Sequence, residues 1–156
     1  MQKRKISTAE AGDRSDPTWL ALADLADVEV TSEEVAHPIE AALLPAFDLG
    51  WRADAPGRQI IRLKFMRALP LRHVRVVVEE TERARTQEFV LRVGSTPEGP
   101  WRELTRQQFN FSPSGATREQ EDYVFELPSV GALELVIVPD IGGGDARASL
   151  KQLRVA

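Results

Sequence analysis

The pattern of hydrophobic and polar positions changes period once along the chain, near residue 28. Before that point Asp16-Pro17 offers an N-cap acceptor followed by proline at the first helical position. Trp19, Leu20, Leu22 and Ala23 then supply a short apolar stripe, which predicts a helix ending near Asp24. From Val28 onward the period is two. Val28 and Val30 alternate with Glu29 and Thr31, and Ile61, Leu63 and Phe65 with Arg62 and Lys64. The same alternation carries Val74 to Val78, Phe89 to Val93, Gln107 to Phe111, Tyr123 to Leu127 and Leu133 to Ile137, and a last run covers Ser149 to Val155. This predicts about eight short, half-buried strands with turn signals between them. No gap after residue 60 has a helical pattern, and parallel neighbours would need a crossover element there. The expected fold is all-β: an antiparallel β-sandwich or barrel with a short N-terminal helix.

Antiparallel strands reverse at every connection, so alternate loops share an end. The loops Ser32 to Gln59, Thr81 to Arg85, Ser112 to Gln120 and Pro139 to Ala146 are expected together. Met66 to Arg72, Gly94 to Glu103 and Pro128 to Ala132 are expected at the opposite end. The first end holds Trp51, Arg52, Glu80, Glu82, Arg83, Arg85, Arg118, Asp140, Asp145 and Arg147, beside a Gly142-Gly143-Gly144 turn. The second is mostly proline, glycine and apolar turn residues. Binding side chains concentrate on loops held by a rigid scaffold, so the first end is the candidate face.

Composition narrows what that face can do. The 156 residues suit one domain, read here as residues 16–156 behind a flexible tail over residues 1–15. There is no cysteine, which removes disulfides, thiolate metal sites and a cysteine nucleophile together. Only His37 and His73 are present, so a multi-histidine metal site is not expected. A net charge of −4 argues against nucleic acid as a partner. The basic start Met1-Gln2-Lys3-Arg4-Lys5 leads into polar sequence rather than an apolar core, so a cytoplasmic chain without a membrane span is expected.

Arginines, carboxylates, an amide and an aromatic ring together are the groups that recognise a polyol. Paired hydroxyls need planar donors and acceptors, and the apolar face of a sugar ring needs a flat apolar surface. Trp51 is the candidate platform; Arg52, Arg85, Arg147, Glu80, Asp140 and Asp145 are the candidate hydrogen-bonding groups, with Asn110 beside them. The competing reading is structural: the same charges tie long loops together as ion pairs, with Asp145 capping the glycine turn. Glu79-Glu80 with Asp140 also admits a carboxylate pair for glycoside hydrolysis, but nothing in their spacing favours it, and no enzyme is expected.

The order of segments resembles the discoidin, or coagulation-factor type C, family among the galactose-binding-like jelly rolls. Trp51 followed by Gln59-Ile-Ile-Arg-Leu-Lys-Phe65 is similar to the family's tryptophan and first core strand. Leu71-Arg-His-Val-Arg-Val76 resembles its next strand. Phe89-Val-Leu-Arg-Val-Gly-Ser-Thr-Pro-Glu-Gly-Pro-Trp101 resembles its tryptophan-closed hairpin. Ala132-Leu-Glu-Leu-Val-Ile-Val-Pro139 and Ser149-Leu-Lys-Gln-Leu-Arg-Val155 resemble its closing strands. The resemblance implies a non-catalytic module that binds glycans, lipids or proteins through loops at one end. Many bacterial sugar-binding members hold a structural calcium with an aspartate-rich loop before the tryptophan and a glutamate in the last strand. Here that loop is only Phe47-Asp-Leu-Gly-Trp51 and Gln152 stands at the glutamate's place, which argues against calcium. No apolar, basic-flanked loop of the membrane-binding kind is apparent. The expected ligand is a carbohydrate or other polyol; the alternative is a protein partner on the same loop face.

Overall fold

The computed structural model describes residues 1–4 and 17–156, and most of the tail predicted over residues 1–15 lies outside them. Its elements are α1 (Leu22–Leu25), β1 (Ala26–Val30), α2 (Glu40–Leu43), β2 (Trp51–Pro56), β3 (Gln59–Glu79), β4 (Arg85–Thr96), β5 (Gly99–Phe111), β6 (Arg118–Val138), β7 (Arg147–Leu150) and β8 (Gln152–Val155). The alternation from Ile61 and from Val74 belongs to one strand, β3. That from Tyr123 and from Leu133 likewise belongs to β6. These two 21-residue strands pair antiparallel from Gln59↔Ile137 to Glu79↔Arg118.

The β3–β6 ribbon folds over on itself, and this makes the sandwich. Its register slips between Lys64 and His73 on β3, where Met66, Arg67 and Ala68 are exposed. On β6 the fold falls at Pro128, which has no N–H to give the ladder, and near Gly131. A Cβ on Gly131 would lie 2.7 Å from Ser95 O, so only glycine lets the β4–β5 hairpin seat against the bend. One layer is β1-β3-β6-β4-β5, using the first half of β3 and the second half of β6. The other is β8 beside the second half of β3 and the first half of β6. Between them lies the core: Ile61, Leu63, Phe65, Val74, Val76, Val78, Phe89, Leu91, Leu133, Leu135, Ile137 and Leu153. β2 and β7 form a small second sheet at one end, with Trp51 opposite Leu150 and Arg52 opposite Ser149.

The N-terminal helix is shorter than predicted. Only Leu22–Leu25 is helical; residues 17–21 are not, and Asp16 lies outside the described residues. The cause is a non-local partner: Leu20 N donates to Val155 O at 2.8 Å, which draws this segment along β8. The Arg75 guanidinium sits 5.1 Å from the centre of the Trp19 ring, so this tryptophan docks the segment on the sheet. The final apolar run, read as one strand, is divided at Lys151, whose N–H donates to Val77 O at 2.7 Å. No helix among the described residues is long and apolar enough to cross a membrane.

Candidate functional site

Folding the β3–β6 ribbon brings both ends of β3 to one end of the sandwich, and four loops gather around them. Arg147 reaches Glu34 at 3.0 Å, Arg83 reaches Asp145 at 2.8 Å, and Glu80 N donates to Thr117 O at 2.8 Å. Ile141 N donates to Thr86 O at 2.8 Å, which docks the glycine-rich turn against the start of β4. Each contact joins a different pair of segments, so the loop end is cross-braced rather than splayed.

Two of the candidate residues lie inside this brace and not on its surface. Trp51 is 1% exposed, and its indole N–H donates to Ser32 O at 2.9 Å. Its ring packs in the core beneath the loops, so it offers no platform to a sugar; the reason is the β2–β7 pairing, which faces it inward. Arg85 has a side chain 1% exposed. Its Nε donates to Glu80 at 2.8 Å and its Nη1 donates to Pro139 O at 2.8 Å and to Gln87 at 3.2 Å. The guanidinium also stacks over Phe111 at 4.8 Å. With its donors committed to the protein, Arg85 is a brace between loops and not a ligand contact.

The other candidates divide between turn, ion pair and open surface. Asp140, not Asp145, caps the glycine turn: its Oδ1 accepts from Gly142 N at 3.0 Å, and Gly143 and Gly144 follow at φ +83° and +99°. Asp145 instead pairs with Arg83, whose guanidinium holds that carboxyl below its usual range. Asn110 is exposed at the edge of β5 and accepts from Thr86 Oγ1 at 2.7 Å, away from the hollows described next. Arg147 is half engaged with Glu34. Arg52 differs from them all: it is exposed, and its guanidinium has no hydrogen bond or ion pair among the described residues.

Arg52 stands on the wall between two adjoining hollows. One, of about 160 Å³, is bounded by His37, Leu49, Thr81 and Lys151; the other, of about 340 Å³, by Pro56, Arg83, Asp145 and Arg147. Glu79, Glu80, Glu82 and Ser149 line both. Glu79 is held by Arg118 at 2.6 Å, and Glu80 by Arg85 and by Glu82 N at 3.2 Å. The Glu82 carboxylate has no hydrogen bond or ion pair among the described residues. The crevice therefore offers one free guanidinium and one free carboxylate, with Ser149 and Lys151 nearby. Its apolar rim is Leu49, on the loop whose Phe47 ring is 51% exposed. Sequence reasoning did not find His37, Leu49, Ser149 or Lys151 as site residues. Their placement depends on the pairing of β2 with β7, which no local pattern encodes.

Among the described residues no three histidine, cysteine, aspartate or glutamate side chains group where they could hold a metal ion. Beside the Leu44–Gly50 loop the buried cation is Arg154, whose Nη1 donates to Ala42 O at 2.7 Å and to Leu153 O at 3.1 Å. Burial pulls its pKa down from the ordinary arginine value.

No family model and no curated protein matches the chain. Solved structures do. A family 32 carbohydrate-binding module of C. perfringens NanJ, in complex with galactose, matches with a TM-score of 0.64 at 15% identity, over 88% of this chain and 97% of that one. The corresponding module of AlyQ, in complex with 4,5-unsaturated mannuronic acid, matches with a TM-score of 0.60 at 18% identity, over 85% and 95%. A Ruminococcus gnavus GH29 fucosidase matches with a TM-score of 0.66 at 14% identity, over 88% of this chain but only 26% of the enzyme. Identities this low carry the architecture and nothing finer: the chain has the discoidin-type, galactose-binding-like jelly-roll fold that these carbohydrate-binding modules share.

Proposed function

We propose that the chain is a non-catalytic carbohydrate-binding module that holds a glycan or other polyol in the crevice around Arg52. The observation that carries this reading is that Arg52 and Glu82, whose guanidinium and carboxylate have no hydrogen bond or ion pair among the described residues, line the same two hollows. A planar donor fork and an acceptor fork lining one small hollow suit vicinal hydroxyls, and Leu49 supplies apolar surface at the rim. Modules of the same fold carry galactose and an unsaturated mannuronic acid. A non-catalytic role accords with the carboxylates weighed for hydrolysis: Glu79 and Glu80 are each tied to an arginine and Asp140 caps a turn.

A glycan array probed with wild-type protein and with Arg52→Ala tests the reading. Wild type should bind a subset of glycans, and the variant should lose at least about tenfold in affinity, or about 1.4 kcal/mol, while remaining folded. Folded wild type that binds no glycan would overturn it. A protein partner on the same face is the second reading, favoured by the exposed Val35, Phe47 and Leu49. It predicts that Phe47→Ser abolishes association with that partner while glycan arrays stay blank.

A further inference from the structure

The outer face of the five-stranded layer carries a hollow that has no part in the crevice. Three rows of side chains cross this face. In the first, Glu29, Arg62, Glu134, Arg92 and Glu103 stand opposite one another on five neighbouring strands. Their charges alternate, and the buried Glu134 binds Arg62 at 2.7 Å and Arg92 at 3.1 Å. The second row is Ile60, Val136, Val90 and Arg106, apolar until its end. The third runs from Val138 through Glu88 to Gln108, and Arg58, one residue before Gln59, stands beside Val138.

The last two rows, with Arg92, enclose a hollow of about 100 Å³. Val90 and Val136 point away from the core, between the inward Phe89, Leu91, Leu135 and Ile137, yet they are only 7% and 5% exposed. The stems of the long polar side chains around them give the hollow an apolar base under charged walls. Those walls are unequally engaged. Arg106 is held by Glu88 at 2.5 Å and by Glu103 at 2.7 Å, and Arg92 gives its Nη1 to Glu134. Arg58 is exposed, and its guanidinium has no hydrogen bond or ion pair among the described residues. It is the unmatched cation of this lining.

The lining selects a ligand class. A free guanidinium fork takes a carboxylate through two parallel hydrogen bonds. Glu88 beside it accepts from a hydroxyl and repels a doubly charged phosphate. The hollow is well below the roughly 300 Å³ of a site that encloses a ligand, so it receives one end of a larger molecule. A carboxylate with hydroxyls beside it on an apolar ring edge is what a uronic acid presents. The rest of that molecule has a place to go. Pro56 lines the larger crevice hollow and Arg58 lines this one, so their Cα atoms are at most about 7 Å apart. Gly57 puts no side chain between them.

We propose that the Arg58 hollow is a second sugar subsite, which takes the carboxylate of a uronic acid residue in a glycan continuing from the crevice over the Gly57 turn. The continuity rests on the crevice being the binding site; the carboxylate site does not.

NMR titration of the full chain tests this, following the Arg58 Nε–H and the methyl groups of Val90 and Val136. The probes are galacturonic acid and its neutral counterpart, galactose. Galacturonic acid should give saturable shifts at all three residues, and galactose at the same concentration should give none there. Arg58→Ala should weaken that binding at least about fivefold, and Arg52→Ala should leave the valine shifts unchanged. Trigalacturonic acid should bind Arg58→Ala at least about fivefold more weakly than wild type. Arg67→Ala removes an equal charge at the exposed bend of β3 and should bind it as wild type does. Equal losses in these two variants would mean general attraction to positive charge and would overturn the proposal. So would valine signals that stay still with galacturonic acid, or that move alike with galactose or with sodium acetate. Shifts at the valines with none at Arg52 would reject the crevice and keep this hollow, and shifts at Arg52 alone would do the reverse.

Discussion

Arg52 and Arg85 illustrate how one residue type serves opposite purposes at one end of the sandwich. Arg52 keeps its donors for solvent or a ligand, and Arg85 gives its donors to three acceptors and its flat face to Phe111. Their alanine variants should therefore separate cleanly in urea unfolding. Arg52→Ala should change stability by less than about 0.5 kcal/mol, as expected of an exposed side chain without partners. Arg85→Ala takes the guanidinium from Glu80 Oε1 and from the Pro139 carbonyl and should cost about 3 kcal/mol or more. Equal losses in the two variants would contradict this division. Nothing in the sequence distinguishes the pair, because exposure here depends on which strands meet beneath each guanidinium. Trp51 teaches the same lesson: an aromatic at a loop end reads as a platform, while β2–β7 pairing turns it into the core and Ser32 O satisfies its N–H. Trp51→Phe should cost about 1 to 3 kcal/mol through the lost hydrogen bond and volume, without a direct effect on ligand contacts.

At the scale of elements, the alternating pattern was legible because each strand buries one face. Ile61, Leu63 and Phe65 point into the core, as do Val74, Val76 and Val78, and the period alone identifies them. What period two does not show is that both triplets lie on one strand that bends between the layers. The bend is set by backbone features, Pro128 and Gly131, whose meaning appears only when the β4–β5 hairpin is seated beside them. α2 has no strong pattern, since Ile39, Ala41, Ala42 and Leu43 are all buried and the helix lasts one turn. Gly50 is the clearest element-level constraint on the site. It has φ +76°, and a Cβ there would lie 2.7 Å from Leu150 O, where the loop before Trp51 crosses β7. Gly50→Ala should destabilise by about 2 kcal/mol or more through combined strain and overlap, read as a lower urea midpoint at unchanged slope. A neutral outcome would mean that this loop is free to shift away from β7.

For the whole molecule, buried acid and exposed ion pairs act at opposite ends of the pH scale. Glu119 has its folded-state carboxyl at about 8 against an ordinary value of 4.5, so the fold holds a proton that the unfolded chain releases. Its stability contribution is fully present below about 4.5 and is lost as pH rises toward about 8. Glu29, Glu88 and Asp145 are shifted down by their arginine or glutamine partners, so their contributions are lost only as pH falls below the ordinary carboxylate range. The melting temperature should accordingly decline between about pH 5 and about pH 8, and Glu119→Gln should flatten that decline. The gathering of loops at one end followed from strand parity, which is why the candidate face was legible as a face. The part proposed to bind was not, because it is the part of the loop end that ion pairs leave unused.

The central claim is that this unused part, around Arg52, is where a glycan sits. The most direct measurement is a titration of the isotope-labelled protein with galactose and, separately, with an unsaturated mannuronic acid oligosaccharide, following backbone and arginine side-chain NMR signals. The predicted result is saturable shifts at Arg52, Glu82 and Ser149, with Arg52 Nε–H among the largest, for at least one of the two sugars. Saturable shifts confined elsewhere, such as the hollow beside His73 and Val124 at the other end of the sandwich, would contradict the assignment of the site.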